Sequence, residues 1–139
     1  MKLNTKEKIL SFIINNDKLL LLLGSDKDPQ FHESFWYVVT GSVEKVDKLL
    51  EDCVKREIKE ETNLDIYKII DLNEVIEYDS LGCHCIEHLF ISFTNSKEVI
   101  LNEESIDYKW CSLDEFIQLI KWYDDKNQLK EKLIKYIKL

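Results

Sequence analysis

Glycine and proline are scarce, three and one among 139 residues, so collagen-like and low-complexity linker readings fall away. Long apolar runs are missing too: the longest, residues 19–23, is far short of the ~20 residues a membrane span needs. The lysine-bearing start has no apolar stretch with a small-residue cleavage site behind it, so no targeting segment is read and a cytoplasmic location is expected. Positive charge is in deficit, 19 Lys and Arg against 27 Asp and Glu for a net charge of −8. That excludes a basic nucleic-acid footprint. The four cysteines, Cys53, Cys83, Cys85 and Cys111, are even in number, but the chain is neither short nor loop-rich enough to need disulfides, and reduced thiols are expected. What is present is a folded composition, 45% hydrophobic, 33% charged and 11% aromatic. The length suits a single domain over 1–139, able to bury about 70% of its unfolded surface.

Residues 9–14 and 18–23 are apolar runs separated by Asn15-Asn16-Asp17, turn residues that predict a β-hairpin. Residues 25–34 are polar, hold Pro29, and read as a long loop of the kind that often carries function. Residues 35–40 are aromatic and β-branched and predict a strand ending at Gly41. A helix is predicted over 48–62, with Asn63 as its left-handed stop. Strands follow at 65–70, 75–78 and 83–94, an acidic loop at 98–107, and a short strand at 108–111. Helices at 113–122 and 127–137 close the chain, the last with apolar Leu129, Leu133, Ile134 and Ile137. This order predicts an α/β layered fold, a mixed sheet carrying helices on its faces.

The helix over 48–62 carries the chemistry. At roughly 100° per residue, Leu50, Cys53 and Val54 lie on one stripe, which continues as Glu57, Glu60 and Glu61. A carboxylate turned inward must be paired or coordinate a metal. Three within about two turns repel one another unless a cation sits among them. Oxygen-only ligation suits Mg²⁺ or Mn²⁺. The bland alternative on this pattern alone is a solvated acidic helix end. A phosphorylated substrate would also need such a cation, because the chain's own charge repels it.

Gly41, five residues, Asp47, eight residues, then Arg56-Glu57-Ile58-Lys59-Glu60-Glu61-Thr62-Asn63-Leu64 resembles the Nudix box, whose Arg-Glu-apolar-x-Glu-Glu portion is intact. Asp47 stands where the family usually has Glu, one extra residue precedes Arg56, and Asn63 replaces a glycine. The resemblance implies a Nudix-type α/β/α sandwich and a hydrolase of phosphoric anhydride bonds. It implies metal ligation by Glu57, Glu60, Glu61 and the Gly41 carbonyl. Arg56 is then an orienter, holding a neighbouring glutamate through a bidentate pair, and Asp47 acts through water or at the helix start.

The likeness extends further. Phe35-Trp36-Tyr37-Val38-Val39-Thr40-Gly41-Ser42-Val43-Glu44, Glu104-Ser105-Ile106-Asp107-Tyr108-Lys109-Trp110, and then Trp122 and Asn127 resemble the bacterial dihydroneopterin triphosphate pyrophosphohydrolases of the family. This implies cleavage of a nucleoside or dihydroneopterin triphosphate to monophosphate and pyrophosphate, with Glu104 as metal ligand or general base and Glu103 as its fallback. Dinucleoside polyphosphates or nucleotide sugars are rival substrates, and a non-catalytic nucleotide-sensing module is the rival class. No membrane or nucleic-acid partner is implied, and the oligomeric state is open. Phe35 and Trp36, with Phe31 and His32, are candidates to stack a substrate ring; core packing is their alternative. Cys83-His84-Cys85 with His88 and Cys111 tempts a zinc reading, but strand alternation separates the cysteines from the histidines.

Overall fold

Alternation decides the layers. In the computed structural model, which describes residues 3–24 and 35–137, strand β1 (Asn4–Asn15) sends Ile9 and Ile13 to one face of the sheet. Leu10, Phe12 and Ile14 go to the other face. Each fully buried aliphatic of this kind contributes roughly 1.5–3 kcal/mol, so both faces must be covered. Asn16, at φ 53°, turns β1 into β2 (Lys18–Gly24) as the turn residues predict. The hairpin is brief: only Ile14 with Leu19 and Asn15 with Lys18 pair before the strands part.

Residues 36–42 fill the wedge between them. β3 (Trp36–Tyr37) pairs with β2, and β4 (Val39–Ser42) pairs with β1. Val38, buried, is the crossing point. The strand expected over 35–40 is therefore two short strands, because one stretch of chain bridges two diverging partners. Among the described residues, β5 (Lys68–Ser80), β6 (Cys83–Phe93) and β7 (Ser105–Cys111) complete a seven-stranded sheet of order β3-β2-β1-β6-β5, with β4 on β1 and β7 on β2. The β1–β6 pairing is parallel and the others are antiparallel, so the sheet is mixed.

The strands expected at 65–70 and 75–78 are one strand, β5, bulged between Asp71 and Val75. There Asn73 takes φ 55° and donates its N–H to Asp71 Oδ1 at 2.8 Å. β7 starts earlier than the expected 108 because Ser105 and Asp107 already pair with β2.

Helix α1 (Leu50–Thr62) covers one face through Cys53, Val54 and Ile58. α2 (Leu113–Leu119) and α3 (Lys126–Ile134) cover the other through Phe116, Leu129 and Leu133. The result is the expected α/β/α sandwich. α1 ends at Asn63, φ 63°, whose N–H donates to the Lys59 carbonyl at 3.0 Å, the left-handed stop read from its sequence. α2 ends short of the expected 122 because Ile120 is extended, leaving Trp122 outside the helix. The expected loop at 25–34, with Pro29, Phe31 and His32, lies outside the described residues. Among the described residues no helix is long and apolar enough to cross a membrane.

Candidate active site

The apolar stripe of α1 runs on into carboxylates as expected, with one difference. Glu61 is 2% exposed and the Glu57 side chain 12%, but the Glu60 side chain is 52% exposed. Successive helical residues turn by about 100°, so Glu60 and Glu61 cannot both face inward, and Glu60 stands at the rim. Glu57 lies directly on β4: a Cβ added at Gly41 would overlap Glu57 Cγ and Cδ. The glycine is what lets the carboxylate sit there.

Arg56 ties this end of α1 together. Its Nε donates to Asp47 Oδ1 at 3.0 Å and its NH2 group to Asp47 Oδ2 at 2.7 Å, a bidentate pair. NH1 donates to Glu57 Oε1 at 2.9 Å and reaches Glu60 Oε1 at 3.3 Å, while NH2 also donates to the Ser42 carbonyl at 3.1 Å. Arg56 thus contacts Glu57 and Glu60, but its bidentate partner is Asp47 and not a glutamate. Just before the helix a tight turn seats Asp47: its N–H bonds the Glu44 carbonyl and Glu44 N–H bonds Asp47 Oδ2, each at 2.9 Å. Asp47 does not cap α1; Asp52 accepts the Leu49 N–H at 2.9 Å instead. The Arg56 guanidinium holds the Asp47 carboxyl down at about 2, against the usual 3.8.

Glu61 Oε2 is buried and has no hydrogen-bond partner among the described residues. Burial pushes the Glu61 carboxyl far up, and the charge of Glu104 and the hydrogen bond with Glu57 add to the rise. Burial also raises Glu57. Two inward carboxyls this close hold a proton between them unless positive charge replaces it. Among the described residues no three His, Cys, Asp or Glu side chains are grouped so as to hold a metal ion as they stand, since Arg56 draws Glu57 and Glu60 to itself. The donors nonetheless fit a hard divalent cation: all are oxygens, and one is buried and unpartnered. Zinc does not fit the other cluster. His84 bonds Asp79 at 2.8 Å and Glu77 at 3.0 Å, His88 bonds Glu7 at 2.5 Å, and Cys53, Cys85 and Cys111 are buried free thiols.

Glu61 opens onto a cleft of about 740 Å³ that Glu103, Glu104, Phe35, Tyr37 and Trp122 also line. Glu104 accepts from Asn102 Nδ2 at 3.4 Å, and its N–H donates to Asn102 Oδ1 at 3.0 Å, which fixes the loop in front of β7. Phe35 and Tyr37 rings stand 5.4 Å apart. Trp36 is not on the wall. It packs against the α2–α3 core, and its carbonyl accepts from Trp122 Nε1 at 2.9 Å. Phe35 and Tyr37 line the cleft, while Trp36 between them turns to the core under α2 and α3.

The NUDIX domain family is matched over residues 6–133. This chain belongs to the Nudix family. As a Nudix hydrolase it is an enzyme of phosphoric anhydride bonds. Its fold is similar to that of the MutT protein from Methanosarcina mazei Go1, with a TM-score of 0.77, 21% identity, and 98% of this chain and 97% of that one covered. The dihydroneopterin triphosphate pyrophosphohydrolase of E. coli is matched with a TM-score of 0.73 and 24% identity over 96% of this chain and 99% of that one. The Ap4A hydrolase of C. elegans is matched with a TM-score of 0.70 and 20% identity over 96% of each chain.

The Nudix signature does not reach every residue of the cleft. Lys8, Tyr37, Tyr78, Glu87 and Trp122 line it as well and were not singled out from the sequence as cleft residues. Glu87 had a readable signal. It falls in phase with Cys85, Leu89, Ile91 and Phe93, the core-facing set of β6, where a carboxylate needs a reason to be.

Proposed function

We propose that this Nudix hydrolase cleaves a nucleoside triphosphate or dihydroneopterin triphosphate to the monophosphate and pyrophosphate, with Mg²⁺ or Mn²⁺ as cofactor. The observation that carries this reading is the buried, unpartnered Glu61 oxygen at the wall of a cleft that also presents Glu104 and aromatic rings. Among the described residues of that wall, Lys8 is the one cation against Glu61, Glu77, Glu87, Glu103, Glu104 and Asp124. A polyanion enters such a cleft only with accompanying positive charge.

Glu57, Glu60, Glu61 and the Gly41 carbonyl would hold the divalent ion, which when bound neutralises phosphate charge and makes water a better nucleophile. Arg56 positions Glu57 and Glu60. Glu104 takes the proton from the water that attacks the α-phosphorus, with Glu103 beside it as the alternative base. Phe35, Tyr37 and Trp122 offer flat apolar surface to the ring. Retention of all three helix glutamates argues against a non-catalytic sensing module. Likeness to the C. elegans Ap4A hydrolase supports dinucleoside polyphosphates as the second reading.

The test is a panel of nucleoside triphosphates, dihydroneopterin triphosphate, dinucleoside polyphosphates and nucleotide sugars with Mg²⁺ in ¹⁸O-labelled water. Label in the monophosphate, with unlabelled pyrophosphate, is expected. Label in phosphate or pyrophosphate would place attack farther out on the chain and overturn the pyrophosphohydrolase assignment.

A further inference from the structure

The sheet face under α2 and α3 is apolar for most of its length and turns polar at one end. On β1 the phase Leu10, Phe12, Ile14 is preceded by Lys8; on β6 the phase Leu89, Ile91, Phe93 is preceded by Glu87. Lys8 and Glu87 are partners in the parallel β1–β6 register, and Tyr78 of β5 lies alongside. Tyr78 Oη donates to Glu87 Oε2 at 2.9 Å and accepts from Lys8 Nζ at 3.2 Å, which leaves Nζ 3.8 Å from Glu87 Oε2. Glu87 is 6% exposed, yet among the described residues this phenol is the one hydrogen-bond donor to its side chain. A carboxylate buried that deeply with so little compensation is destabilising on its own. The cluster is set into the wall of the cleft that Glu61 and Glu104 also line.

We propose that Glu87 and Lys8, held in register by the Tyr78 hydroxyl, read the hydrogen-bonding edge of the substrate's heterocycle, and that this edge is of the amino-oxo type shared by guanine and pterins. The chemistry is complementary. Such an edge presents two adjacent N–H donors, which a carboxylate accepts, followed by a carbonyl oxygen, which an ammonium donates to. An adenine edge pairs one donor with a ring-nitrogen acceptor, and that acceptor faces the carboxylate. A bidentate pairing of this kind discriminates by roughly ten- to hundredfold. The inference rests on the triphosphate reading of the same cleft and adds the residues that choose among triphosphates.

The experiment compares GTP, ITP and ATP hydrolysis by the wild type, Glu87→Gln and Lys8→Met, alongside equilibrium binding of GMP, AMP and neopterin without metal. The wild type should prefer GTP to ATP, and Glu87→Gln should lose about tenfold or more in kcat/KM on GTP, through KM. ITP lacks the amino group, so it should lose less, and ATP should change little. Lys8→Met, at a mostly buried position, should weaken GMP and neopterin binding without affecting AMP. Equal losses on GTP and ATP, a wild-type preference for ATP, or GMP binding indifferent to Glu87→Gln would overturn the assignment. Glu87-dependent binding of GMP and neopterin with no triphosphate hydrolysis would keep the edge-reading role and overturn the hydrolytic reading.

Discussion

Asp47 commits both carboxylate oxygens to Arg56 and its side chain is 2% exposed, so its role is to aim the arginine. Asp47→Asn should cost on the order of 2 kcal/mol in stability while lowering turnover less than Glu61→Gln does. Its carboxyl titrates at about 2 when folded, below the usual 3.8. The stability it contributes is therefore present above about pH 4 and lost as pH falls toward 2. Melting curves across that range should show a steeper decline for the wild type than for Asp47→Asn, and matching slopes would refute the pairing. Gly41→Ala tests the other support. The added methyl displaces the Glu57 carboxylate, so turnover should drop at least tenfold while stability falls by about 1–3 kcal/mol. Full activity in Gly41→Ala would show that the seat of Glu57 on β4 does not matter.

Secondary-structure elements divide into those with local signals and those without. The hairpin at Asn16 and the end of α1 at Asn63 rest on single residues that tolerate left-handed backbone, and both were legible. So was the apolar-to-acidic stripe of α1, apart from Glu60, whose angular offset places it at the rim. The division of residues 35–40 into β3 and β4 was not legible, since it depends on β1 and β2 separating, a fact no local pattern records. The merging of 65–70 with 75–78 depends likewise on a bulge that β6 accommodates. In the site, Glu61 was legible from its motif, whereas Lys8 and Tyr78 become meaningful only once three strands are side by side. The β5–β6 turn offers a test at this scale. Leu81 and Gly82 both have positive φ, and Leu81 is 82% exposed. Leu81→Asn should stabilise the protein by about 1 kcal/mol, because asparagine tolerates this backbone and leucine does not. A lower melting temperature in the variant would contradict the turn assignment.

At the scale of the whole molecule, inward carboxyls make stability depend on what fills the cleft. The Glu61 carboxyl is raised above its ordinary 4.5 by burial and by Glu104 and Glu57. A raised carboxyl stabilises the fold least when ionised, so stability should be highest near pH 4–5 and fall as pH rises through neutrality. Mg²⁺ should raise the melting temperature, more at pH 8 than at pH 5, and chelation should reverse the gain. A melting temperature independent of both pH and Mg²⁺ would count against Glu61 as a ligand. The crossing segment in the wedge has a further consequence. Tyr37 lies beside the ring end of the cleft and Gly41 beneath Glu57, four residues apart, which in extended chain is roughly 13 Å. Both ends are bonded into neighbouring strands, so neither can slide alone. On the proposed chemistry this stretch behaves as a fixed gauge: it admits a molecule according to how far its reactive phosphorus stands from its ring. Removing a single residue from it would leave both contact surfaces intact and the enzyme miscalibrated.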